Sequence, residues 1–152
     1  MTQNIVDVRT AFRDKILTLA DWAESTFPYE LFSVDAAPDQ PAAPVSNKMF
    51  VVGFAGIVDR HETRSRAGDT ALMAAGVVVR LVHRVVPTQR RESADTAWTD
   101  TQAVHIALMQ QSTPWPADIL ISFDGVTRAA SASGEWIVTT LNYTAQWAMT
   151  LS

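Results

Sequence analysis

The chain has 152 residues, 47% hydrophobic and 18% charged, with a net charge of −4 and no cysteine. That is the size of one domain, 1–152, able to bury a core without covalent staples. The missing thiols exclude disulfides, thiolate nucleophiles and sulfur-ligated metals, and the acidic total with only Lys15 and Lys48 as lysines disfavours binding to free nucleic acid.

In chain order, residues 5–24 place Ile5, Val8, Phe12, Ile16, Leu19 and Ala23 at steps of three and four. This predicts an amphipathic helix packed on a core. It should end near Thr26, because Pro28 disfavours helical geometry at Phe27. The N-terminal stretch has no apolar signal-peptide core, and Arg80 and Arg84 break the longest apolar run. A soluble, intracellular protein with no membrane span is therefore expected. A short strand over Tyr29–Val34 follows. Pro38, Pro41 and Pro44 then recur at the polyproline II period, predicting an extended, semi-rigid segment that acts as a spacer or docks an aromatic groove.

Two long apolar runs, Met49–Val58 and Ala71–Val86, flank the charged segment DRHETRSRAGDT and read as the arms of one hairpin. A strand over Ala71–Val86 would span roughly 50 Å at about 3.3 Å per residue. A compact domain of this length has a diameter near roughly 40 Å. The hairpin should therefore project or bend, with Gly53, Gly56 and Gly76 as candidate bends. The first arm is apolar on both alternations, which implies burial on two faces. On the second, Val77, Val79, Leu81 and Val85 share one face, and Arg80 and Arg84 the other, which should meet solvent or a partner. From Arg60 to Arg91 seven arginines face only Glu62 and Asp69, whereas the rest of the chain carries five basic and fourteen acidic residues. Such polarity suits head-to-tail contact between copies, or is a solvated charge pattern without a partner.

Ser93 is the expected N-cap of a second helix reaching about Gln111. Pro114 and Pro116 hold Trp115 in a rigid loop, either packed back on the sheet or offered as an anchor. Ile119, Ile121 and Phe123 alternate in a strand that should turn near Asp124 and Gly125, with TRAASASG as a loop. A long strand over Glu135–Leu151 closes the chain, one alternation apolar and the other polar. The sum is α+β: a mainly antiparallel sheet with a long projecting hairpin and two helices on one face.

No nucleophile elbow, phosphate loop or dinucleotide fingerprint is present. His61 lies near Asp59 and Glu62, but no second cluster at ligand spacing supports a metal there. His105 shares a helix with Asp95 and Asp100, and no triad can be assigned. No catalytic, metal or cofactor-binding residue is named, and no enzyme activity is expected.

The layout resembles the tail terminator proteins of long-tailed phages, the tail completion or minor tail U-type family. The features that carry it are the helix IVDVRTAFRDKILTLADWAE, the Pro-rich segment, the hairpin KMFVVGFAGIV through ALMAAGVVVRLVHRVV, the helix SADTAWTDTQAVHIALMQ and the closing strand EWIVTTLNYTAQWAMTL. The resemblance implies a virion protein of the tail neck, made in the host cytoplasm, that forms a homohexameric ring. Such a ring caps the tail tube, halts its polymerisation and joins a head-side connector or stopper protein, while DNA passes through the lumen without specific binding. The sequence offers Arg64 and Arg66 at the hairpin tip, Arg80 and Arg84 on its polar face, and Trp115 as interface candidates. Competing readings are another phage neck or head-completion protein, a small-ligand-binding or regulatory α+β domain, and an enzyme of unlisted type.

Overall fold

Helix α1 (Ile5–Leu17) begins where Asn4 and Asp7 cap each other reciprocally: Asp7 N donates to Asn4 Oδ1 at 2.9 Å and Asn4 N to Asp7 Oδ2 at 3.1 Å. This capping box satisfies two backbone donors that a helix start leaves open. Val8, Ala11, Phe12, Lys15 and Ile16 form its buried stripe. The helix stops about two and a half turns before the predicted end. Thr18 Oγ1 donates to Lys15 O at 2.6 Å and Asp21 takes φ 71°, a left-handed geometry that no helix continues through. Leu19 still reaches the core, but from a turn, so the apolar period outlived the helix.

The computed structural model describes residues 4–36, 38–59, 70–110 and 119–150. Beyond α1, β1 (Ala23–Glu24), β2 (Met49–Asp59), β3 (Thr70–Arg84), α2 (Arg90–Met109), β4 (Leu120–Ala130) and β5 (Trp136–Thr150) complete the described elements. The strands form one sheet in the order β1-β2-β3-β5-β4, with β1 parallel to β2 and every other pair antiparallel. The fold is α+β with a mostly antiparallel sheet, as the sequence implies.

Both helices pack on one face. Val8, Phe12 and Ile16 of α1 and Val104 and Leu108 of α2 meet Phe50, Val52, Val77, Val79, Leu81, Leu141, Tyr143 and Trp147 in the main core. Lys15 is buried there, with its Nζ donating to Gln110 O at 3.0 Å, so α1 supplies a cation to the end of α2. Helix α2 starts at Arg90, ahead of the predicted Ser93 cap. Ser93 Oγ instead lies inside the first turn, donating to Gln89 O and accepting from Val86 N, which ties helix to strand end.

The other face of the hairpin departs from expectation. From Met73 to Val82, β3 has β2 on one side and β5 on the other, so this arm lies inside the sheet rather than in a two-stranded extension. The Arg80 face is not left wholly to solvent or a partner. Val82 and Val51 are buried there under Phe32 and Ala43, flanked by Phe27, Tyr29, Val34, Val45 and Trp136. The segment predicted as a strand over Tyr29–Val34 begins as a one-turn 3-10 helix, Tyr29–Leu31. The Pro-rich segment after it is a strap: Ala43 N donates to Ser33 O, and Ala132 N donates to the Asp35 carboxylate at 3.0 Å. Two-faced apolarity around Val51 and Val82 is thus met within the chain.

Strand β4 runs through the predicted turn. A bulge at Asp124 absorbs one residue, Gly125 takes φ 147°, and Thr144 Oγ1 donates to Asp124 Oδ2 at 2.6 Å. The reversal comes later, where Gly134 takes φ 75° and Trp136 N donates to Ser131 Oγ.

Candidate functional site

The predicted interface residues fall in different places. Arg64, Arg66 and Trp115 lie outside the described residues, as does His61. Arg80 is half-buried, its guanidinium 4.8 Å from the centre of the Tyr29 ring, and so packs against the strap of its own chain. Arg84 is exposed at the end of β3 and lines a cleft of about 490 Å³ with Val45, Ser46, Asn47, Glu135 and Trp136. Arg80 and Arg84 thus lie in the C-terminal part of β3, and Arg90 and Arg91 open α2.

The polar cluster that sequence reading missed centres on His83. Only 2% exposed, it donates from Nε2 to Asp100 Oδ2 at 3.0 Å, and its ring meets the Trp22 ring edge-on at 5.4 Å. Lys48 Nζ lies 3.9 Å from Asp100 Oδ1 and 5.3 Å from the Trp22 ring centre. Burial lowers the His83 pKa. Asp100 acts against that, and Arg128 and Lys48 act with it. His83 Nδ1 is sealed from solvent and has no hydrogen-bond partner among the described residues. A base that no substrate can reach has no proton to abstract, so the geometry fits a structural pair joining β3 to α2. No signal in the sequence links a strand histidine to a helical aspartate across 17 positions.

His105, read beside Asp95 and Asp100, pairs instead with Tyr143: Nδ1 lies 2.9 Å from the hydroxyl, and Phe123 packs on the ring at 4.4 Å. Burial raises the Tyr143 pKa, which keeps the phenol neutral. Among the described residues no three His, Asp or Glu side chains converge as a metal site, and no helix is long and apolar enough to cross a membrane.

Neither family models nor curated proteins give a match to this chain. The site must therefore be argued from the surface itself.

Two features of that surface stand out. Strand β4 has no neighbour on its outer side among the described residues, and it exposes Leu120 (61%), Phe123 (39%) and Val126 (39%). Trp98 and Ile106 of α2 add exposed apolar area, with Arg128 of β4 stacked 3.5 Å from the Trp98 ring centre. At the opposite edge, β1 covers only Met49 and Phe50 of β2. Beyond it, a cleft of about 400 Å³ opens between Val51–Phe54 and the 24–30 segment, with Arg9 on its rim. The sheet thus ends in two accessible edges on opposite sides.

Proposed function

We propose that this chain is a structural subunit that assembles with copies of itself into a closed ring of the tail terminator type. Such a ring caps a tail tube, ends its polymerisation and presents a face to a head-side connector. The observation that carries the reading is β4, an eleven-residue edge strand with exposed apolar side chains and neither lysine nor proline to guard it. Asp124, Arg128 and one bulge interrupt it, but an open edge of this kind is still a template for pairing with another chain. The uneven charge of the sequence supports ordered head-to-tail contact. The hexamer, the tube partner and a lumen that passes DNA without reading it come from the family resemblance.

Light scattering of the purified protein, alone and with assembled tube subunits, tests the proposal. Six chains of 16.7 kDa give about 100 kDa for the closed ring. The expected result is that mass in solution, or a ring seen by electron microscopy at tube ends. A stable monomer that never binds tubes would overturn the reading.

A further inference from the structure

The two open edges are complementary in direction. Strand β2 is antiparallel to β3, β3 to β5, and β5 to β4, so β4 runs opposite to β2. If β4 of one copy lies beside β2 of the next, antiparallel alternation continues unbroken across the joint. The strands match in length, eleven residues each, and each carries one bulge one residue after a phenylalanine, between Phe54 and Gly56 and between Phe123 and Gly125. Neither holds a lysine or proline. Where β2 leaves the cover of β1, Ala55, Gly56 and Ile57 (47%) are exposed beside the cleft.

We propose that the β4 edge of one copy docks on the Val52–Ile57 edge of a second copy, extending the sheet from subunit to subunit. The proposal rests on the assembly reading and names its joint. Pairing of β4 with β4, or of β2 with β2, would leave the other edge of both copies open. A heterologous β4-to-β2 contact repeated around a ring leaves neither open, which is how closure removes the liability of edges. The occupant of the β2 edge is thus a strand from a second copy, with Phe123 and Val126 on the same sheet face as Ile57.

The absence of native cysteine makes disulfide trapping a clean test. One set of proteins carries Ser122→Cys, Thr127→Cys or Ala129→Cys, the other Ala55→Cys or Ile57→Cys, and each is oxidised alone and in mixture while mass is followed by light scattering. Strands in register bring paired Cα atoms within reach of a disulfide, about 5.5 Å. Covalent dimers are expected only in mixtures. A ring that forms but gives no mixed disulfide overturns the joint and leaves the assembly reading standing. Dimers from a single cysteine variant also overturn it, in favour of like-with-like pairing, and a protein that stays monomeric and free of cross-links even with tube subunits present overturns both. Leu120→Lys with Ala129→Lys, both at exposed positions, should weaken self-association about tenfold or more by placing charge on the edge, with an unchanged circular dichroism spectrum showing that the fold is intact.

Discussion

His83 shows how a buried ionisable side chain ties the stability of a fold to pH. Its neutral ring fits: Nε2–H serves Asp100, and the bare Nδ1 is sealed in side-chain packing with no hydrogen-bond partner among the described residues. Protonation would place an unpaired N–H in that packing, close to Lys48 and Arg128. The unfolded chain takes up this proton near pH 6.5, while the folded chain takes it up only at lower pH. The unfolded state therefore binds more protons between those values, and stability falls as pH drops below about 6.5. The expected outcome is a melting temperature level above neutrality and declining below it, with His83→Gln reducing the decline between pH 6.5 and 5. A difference curve without slope in that window would show that His83 is not held neutral. None of this pairing was legible in the sequence. The sequence places His105 on one helix with Asp95 and Asp100 and assigns no partner, whereas the fold brings Asp100 to His83 and Tyr143 to His105.

Among the elements, the long strands were legible because their apolar alternation is sustained, and both helices because their buried faces repeat every three to four residues. Ends and turns were not. Asp124-Gly125 has the chemistry of a hairpin turn, yet a side-chain bond from Thr144 and the pairing with β5 hold it as a bulge. The Pro-rich strap was readable as extended but not as a cover for the second sheet face, since its few apolar residues are too scattered to show a period. Gly53 lies under that cover: a Cβ there would collide with the Tyr29 ring. Gly53→Ala should therefore cost about 1–3 kcal/mol by overpacking, measured by urea unfolding. In a Tyr29→Ser background the same change should cost less, because the clashing ring is gone. Equal costs in both backgrounds would mean that the strap does not rest on β2 in solution.

Across the whole molecule, the basic residues between Arg60 and Arg91 looked like one patch in sequence, but β3 carries Arg80 and Arg84 away from the 60–69 connection. Arg80→Glu with Arg84→Glu should weaken assembly, more at low than at high salt because exposed charges are screened within about 10 Å at 0.1 M. Loss of the Tyr29 contact should cost about 0.5–1 kcal/mol of stability. Assembly with an unchanged salt dependence would show that this end of the sheet faces away from any neighbour. The strand order carries a kinetic consequence as well. The β2–β3 and β4–β5 pairs each form between strands adjacent in the chain, but β3 and β5 join residues roughly fifty to eighty positions apart, such as Thr70 with Thr150. Non-local pairing is slow because loop closure comes before the contacts that reward it. Two hairpins would then wait with their inner edges bare until they zip together, so newly made chains are at their stickiest before the sheet has a centre.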